Sequence, residues 1–200
     1  MTALRDRLNE AIRRAKQPSS DFDLNPSITL PEDRVLRDAG VLVPILAWPE
    51  HPRLLLTKRS SHLKHHPGQI AFPGGKRDDG DADVVDAALR EAEEEVALPR
   101  GHVEVLGTLP PHETVTRFLV TPVVALVHEP FDPVPEAGEV EEVFSVPLSH
   151  VLDPARYSVQ SRRWRGARRS YFTAPFGPYY IWGATARMLY ALATAYADAD

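Results

Sequence analysis

The chain has 200 residues, 43% of them hydrophobic, which supplies one substantial core and too little for two comfortable domains. Its net charge of −5 and isoelectric point near 5.9 argue against nucleic acid or an acidic membrane surface as a partner, since either leaves a basic footprint. There is no cysteine, so disulfides, zinc–thiolate sites and cysteine nucleophiles are excluded.

Leu4, Leu8, Ala11, Ile12 and Ala15 recur at helical spacing and predict an amphipathic N-terminal helix. The acids around Met1–Arg7 leave no apolar stretch of signal-peptide type there, so the cytoplasm is the expected compartment. Residues 18–31 read as a polar, proline-dotted surface connector. Residues 40–48 and 53–59 read as strands of a hairpin closed by Pro49-Glu50-His51-Pro52. Gly68 to Gly75 reads as a strand breaking into a Gly-Gly turn, followed by a polar loop and a helix. Asp81 or Asp83 is placed to cap that helix. Further strands are expected over 103–109 and 118–127, with Pro110-Pro111-His112-Glu113 between them. An acidic, proline-rich loop then covers 131–142, followed by a short strand over 143–146. A short helix over 147–152, a hairpin turning at Arg165-Gly166 and a helix from about Ala184 complete the order. The longest apolar run, 181–197, is broken by Arg187 and rich in Ala and Thr, so it reads as a buried helix and not a membrane span.

The chemistry concentrates in the helix containing Arg90-Glu91-Ala92-Glu93-Glu94-Glu95. At 3.6 residues per turn, Glu91, Glu94 and Glu95 fall within about 100° of one another. Val85, Leu89, Ala92 and Val96 form an apolar stripe roughly opposite. Ala87 and Ala88 precede the carboxylates and are expected to leave room beside them. Like charges at this spacing repel with no local return, and a hard divalent cation such as Mg²⁺ or Mn²⁺ is the simplest compensation. Glu91 and Glu95, one turn apart, are the first-choice metal ligands; Glu94 is a third ligand or a group polarising the attacking water. Glu93 points to neither face and is expected in solvent. The alternative, an acidic helix face that is merely solvated, leaves the coincidence of the arginine, the paired glycines and the spacing without a cause.

Gly75 followed by Arg90 to Leu98 resembles the Nudix box: a glycine, a spaced acid, then R-E-hydrophobic-x-E-E-x-G-hydrophobic. Three departures stand out. The interval from Gly75 to Arg90 is one residue longer, Asp81 stands where Glu is usual, and Ala97 replaces the late glycine. Leu55-Leu56-Thr57-Lys58-Arg59-Ser60 and Leu63 to Gly75 are in addition similar to the extended motif of the coenzyme A pyrophosphatase branch, which shares the longer box. Lys64 stands there for arginine, keeping charge but losing bidentate geometry. The resemblance implies a Nudix-type α-β-α sandwich with a mixed β-sheet, one domain over residues 1–200, a helix and linker in 1–34, and the box over about 75–98.

It also implies a pyrophosphohydrolase that uses Mg²⁺ or Mn²⁺ to split coenzyme A or an acyl-coenzyme A into 3′,5′-ADP and 4′-phosphopantetheine. Other Nudix substrates, such as ADP-ribose or NADH, are the variant reading, and a non-catalytic nucleotide-binding domain is the rival class. Retention of Arg90, Glu91, Glu94 and Glu95 favours the enzyme. By resemblance Arg90 orients a glutamate, His66 positions a loop or a phosphate, and Gly74 and Gly75 let the backbone approach the ligand. Arg59 is either a bidentate phosphate contact or a structural ion pair. The partner is thus a small molecule, with neither nucleic acid nor membrane, and a homodimer is left open.

Outside the helix, Glu139 is the candidate general base, set against the plainer reading of an exposed loop acid. His62 and His65 lack regular metal-ligand spacing and read as solvated. The basic island of Arg162, Arg163, Arg165, Arg168 and Arg169 suits the 3′-phosphate of coenzyme A, in a rival reading an RNA phosphate, or most plainly a solvated hairpin tip. Pro175, Phe176, Tyr179, Tyr180 and Trp182 offer stacking area for adenine, packing for pantetheine, or core.

Overall fold

A computed structural model describes residues 2–28, 34–48, 51–64, 66–164 and 166–199. Pro49, Glu50, His65, Arg165 and the end of the 18–31 connector, each given a role above, lie outside the described residues. In chain order the elements are α1 (Thr2–Arg14), β1 (Ser19–Ser20), β2 (Arg37–Leu46), β3 (Arg53–Arg59), β4 (Ile70–Ala71) and β5 (Gly74–Lys76). Then follow α2 (Val84–Val96), β6 (Val103–Thr108), β7 (His112–Glu113), β8 (Phe118–Val127), β9 (Val140–Pro147) and α3 (Leu148–Val151). The chain closes with β10 (Ser158–Trp164), β11 (Ala167–Thr173) and α4 (Gly183–Ala197).

The parallel pair β2 and β8, in register from Arg37/Phe118 to Leu46/Val127, is the axis of a mixed sheet. Leu42 to Ala47 and Val123 to Val127 are buried with few interruptions, as strands covered on both faces require. Alternation sorts their side chains between two apolar layers. Ala39, Val43, Ile45, Val124 and Leu126 face a cluster completed by α1, α3 and α4. Leu42, Leu46, Leu55, Val123 and Ala125 face Ala88, Ala92 and Val96 of α2. The architecture is therefore the expected helix–sheet–helix sandwich. Among the described residues no helix is long and apolar enough to cross a membrane.

Several local expectations are corrected. Gly74 and Gly75 do not turn the chain; they form β5, antiparallel to β2, with Gly75 opposite Gly40. Ala87 and Ala88 leave no room for a ligand, because both are fully buried. A Cβ on Gly40 would lie 1.9 Å from the Val84 carbonyl oxygen, so small residues on both sides let α2 rest directly on the sheet. The strand expected at 143 begins at Val140, where its ladder with β3 reaches Arg59.

The connector and the Pro110–Glu113 segment also pair, Ser19 with His112 and Ser20 with Glu113. Side chains fasten this join. The fully buried His112 accepts the Ser19 hydroxyl at Nδ1, 2.9 Å away, and donates from Nε2 to Asp21 at 3.1 Å. Asp21 in turn accepts the Val115 N–H at 2.9 Å. Ionised Asp21 can only accept, which fixes the proton on Nε2.

Candidate active site

Helix α2 starts where Asp83 caps it, accepting the N–H groups of Val85 at 2.8 Å and Asp86 at 2.9 Å. It stops at Ala97, which takes a left-handed conformation with φ 56° and donates its N–H to the Glu93 carbonyl. Glu93, Glu94 and Glu95 thus occupy the last turn, at the negative end of the helix dipole, with no basic residue there. Both the dipole and mutual repulsion work against them.

Arg90 relieves part of that load. Its guanidinium holds Asp81 through Nε at 2.8 Å and Nη2 at 2.9 Å, and reaches Glu91 and Glu94 through Nη1, each at 3.0 Å. Asp81 is no helix cap. It is buried beneath Arg90, also accepts the Asp78 N–H at 2.8 Å, and its carboxyl is pulled down to about 2 by Arg90 and then by that N–H. The acid that departs from the usual box residue thereby anchors the arginine that aligns two glutamates.

Glu95 is 4% exposed. Its Oε2 accepts the Gly74 N–H at 3.1 Å, and Arg59 Nη1 lies 4.0 Å from Oε1. Burial pushes its carboxyl up to about 7 against the pull of the Gly74 N–H, and the charges of Glu91 and Glu139 add to the rise. Glu91 is raised in the same direction, again chiefly by burial, with Arg90 opposing. A Cβ on Gly75 would lie 2.5 Å from the Glu91 carboxylate, so only glycine leaves that group its place against the strand. Glu94 is exposed and turned to Arg90, and Glu93 is exposed and paired with Arg100 at 3.3 Å.

The acidic loop brings Glu139 to this centre. Its backbone caps the end of α2, with the Val134 N–H on the Val96 carbonyl at 3.2 Å and the Glu136 N–H on the Glu95 carbonyl at 2.9 Å. The Glu139 carbonyl then accepts the Ser60 N–H at 2.8 Å. Glu139 is exposed, and its charge reaches both Glu91 and Glu95.

Among the described residues no three acidic or histidine side chains already converge as a metal cage. The donors present suit a hard divalent ion all the same. Glu95 is a buried carboxylate raised by desolvation, with Glu91 beside it, and Mg²⁺ characteristically takes one or two carboxylates and completes its shell with substrate phosphate and water. Such a cation would lower the pKa of bound water and neutralise phosphoryl charge.

The remaining candidates are scattered. His66 lies exposed in the 60–69 loop with φ 54°, its carbonyl accepting the Gln69 N–H at 3.3 Å. Arg162 stacks on Trp182 at 4.4 Å, and Arg168 donates to Ser161 at 2.7 Å. Tyr179 stacks on Phe144 at 3.6 Å with its hydroxyl on Glu142, and Phe176 meets His150 edge-on at 5.0 Å. Phe144, Phe176 and Tyr179 pack against the α1/α4 layer, not the carboxylates.

A carboxylate helix resting on a mixed sheet, faced by a glycine strand and an arginine, suits the metal-assisted hydrolysis of phosphoric anhydrides. Comparison with known proteins agrees. Residues 37–165 match the NUDIX domain family. A protein of Escherichia coli O1:K1 / APEC named uncharacterized Nudix hydrolase NudL is 46% identical over 157 residues, spanning 78% of this chain and 81% of that one. Its namesake in Shigella boydii serotype 18 gives the same figures. A MutT/nudix family protein from Enterococcus faecalis superposes with a TM-score of 0.53 at 17% identity, covering 86% of this chain and 66% of that one, a likeness of fold. The chain belongs to the Nudix family. Membership supports a hydrolase acting on a phosphoric anhydride, and Nudix hydrolases generally use divalent ions such as Mg²⁺ or Mn²⁺.

Proposed function

We propose that this enzyme is a coenzyme A pyrophosphatase, hydrolysing coenzyme A or its derivatives at the diphosphate to 3′,5′-ADP and 4′-phosphopantetheine. What carries the reading is where the distinctive motif falls. Arg59, Gly74 and Gly75, all within the stretch whose pattern resembles that branch, meet the α2 carboxylates. Arg59 lies 4.0 Å from Glu95, Gly74 donates to Glu95, and Gly75 makes room for Glu91.

In this reading Glu91 and Glu95 hold the divalent cation. Arg90, itself anchored by Asp81, keeps Glu91 and Glu94 aligned. Arg59 faces the substrate phosphates, where a guanidinium can make two parallel hydrogen bonds. Glu139, whose charge reaches Glu91 and Glu95, serves as the general base from outside α2, and Glu94 is the exposed carboxylate left to polarise the attacking water. His66, in the loop that continues from Arg59, positions that loop against a phosphate. One domain and a cytoplasmic location complete the proposal.

The test is a substrate panel with Mg²⁺ or Mn²⁺, products separated by chromatography: coenzyme A, dephospho-coenzyme A, ADP-ribose and NADH. Coenzyme A should lead. A charge-assisted contact to its 3′-phosphate is worth about 1.5–3 kcal/mol, so the dephospho form should fall behind by roughly tenfold to a hundredfold in kcat/KM. Faster turnover of ADP-ribose than of either would leave a Nudix hydrolase of another substrate.

A further inference from the structure

On the α2 side of the sheet, beyond the end of β2, lies an apolar cleft of about 150 Å³ that the carboxylate chemistry does not use. Its lining includes Leu46, Trp48, Leu55, Phe131, Pro133 and Val143. Two polar residues at the cleft are already engaged: Ser145 Oγ accepts from Arg53 Nε at 2.7 Å, and Glu129 lies 3.3 Å from His102 Nε2. Trp48 is 42% exposed, a large aromatic surface left to solvent at the rim. A cleft of this volume with aliphatic and aromatic walls has room for about a benzene-sized apolar group.

Two features join the cleft to the carboxylates. The first is β3. Leu55 packs in the α2 layer and Arg59 reaches Glu95, so the cleft and the phosphate end lie on one face of one strand, four residues or about 13 Å apart. The second is the loop 130–139. It lines the cleft with Phe131 and Pro133, runs along the end of α2 through Val134 and Glu136, and ends with Glu139 at the site. One continuous wall therefore serves both.

We infer that this cleft is an acyl pocket, and that the preferred substrate is a short-chain acyl thioester of coenzyme A. The inference rests on the coenzyme A reading above. From the scissile diphosphate to sulfur the pantetheine arm equals roughly four residues of extended chain, about 14 Å. A phosphate beside Arg59 thus delivers the thioester to the mouth of the cleft. The cleft's size admits an acyl group of about four to six carbons and stops a longer chain at its walls.

Two measurements test this. In the first, S-butyrylpantetheine, which carries no phosphate, is titrated into the metal-free protein while tryptophan fluorescence is recorded. A saturable change that disappears in Trp48→Phe is expected. A response to 3′,5′-ADP at Trp48 with none to butyrylpantetheine would overturn the inference and make the cleft a base pocket. In the second, KM is measured with Mg²⁺ for coenzyme A and its acetyl, butyryl, hexanoyl and palmitoyl thioesters. KM should fall up to about fourfold per methylene, then level off or rise once the cleft is full. Trp48→Ala should flatten that dependence. A KM independent of acyl length, with coenzyme A itself hydrolysed, would remove the acyl pocket and leave the coenzyme A reading standing. Hydrolysis of none of these thioesters, with butyrylpantetheine still bound at Trp48, would remove the coenzyme A reading and leave the pocket.

Discussion

Replacing Glu95 by glutamine should stabilise the metal-free protein at neutral pH while abolishing its response to divalent ions. Glu95 is 4% exposed and its carboxyl is raised from 4.5 to about 7, chiefly by burial. At about 1.4 kcal/mol for each tenfold in proton affinity, keeping it ionised in the folded state costs about 3 kcal/mol. The sign follows from linkage. A carboxyl with a higher pKa folded than unfolded confers stability that is complete below about pH 4.5 and is lost as pH rises to about 7. Asp81, depressed to about 2, acts oppositely: its contribution is present above about 3.8 and is lost only as pH falls through 2, outside this window. Glutamine mimics the protonated form, so the loss between pH 5 and 8 should shrink in Glu95→Gln by as much as 6–12 °C in Tm, at about 2–4 °C per kcal/mol. The assay is thermal unfolding across pH 4.5–8 in chelator, then with millimolar Mg²⁺ or Mn²⁺. An ion at a hundred times its Kd should return about 2.7 kcal/mol to the wild type and little to the variant. Parallel curves for the two proteins in chelator would refute the claim that Glu95 is held against its charge.

Asp81→Asn and Arg90→Lys should each lower kcat at least about tenfold, because either breaks the clamp that aligns Glu91 and Glu94, and such positioning carries large factors in rate. Unchanged kcat in Asp81→Asn would detach the clamp from catalysis. Ala97→Gly should raise the free energy of unfolding by about 1 kcal/mol in urea titration, since a Cβ at φ 56° is strained and glycine is not. No gain would mean that the helix end relaxes around alanine. His112→Ala should cost about 2–4 kcal/mol by the same titration, leaving Ser19 and Asp21 without their buried partner. A loss below about 1 kcal/mol would show that the Ser19–His112–Asp21 join is dispensable.

Periodicity alone places α2, its apolar stripe and the face bearing Glu91 and Glu95, because a helix repeats within a few residues. The central strands are legible for a similar reason, their apolar runs being too dense for any exposed segment. The box and the longer motif carry the family. What the linear chain does not encode locally is which of its charges lose their water. Glu91, Glu94 and Glu95 look equivalent on a helical wheel, yet packing buries Glu95 under β5, half-buries Glu91 against Gly75 and leaves Glu94 in solvent. Burial by residues distant in sequence sets the raised carboxyl, and no window of neighbours contains it. The same holds for Glu139, an unremarkable loop acid until the loop caps α2, and for Ala87 and Ala88, whose small size answers to the strand beneath them. The cleft at Trp48 is assembled from β2, β3, β9 and the 130–139 loop, which only the sheet brings together. Sequence determined which groups the site has to work with; the tertiary structure decided their charge, because desolvation depends on what lies close in space.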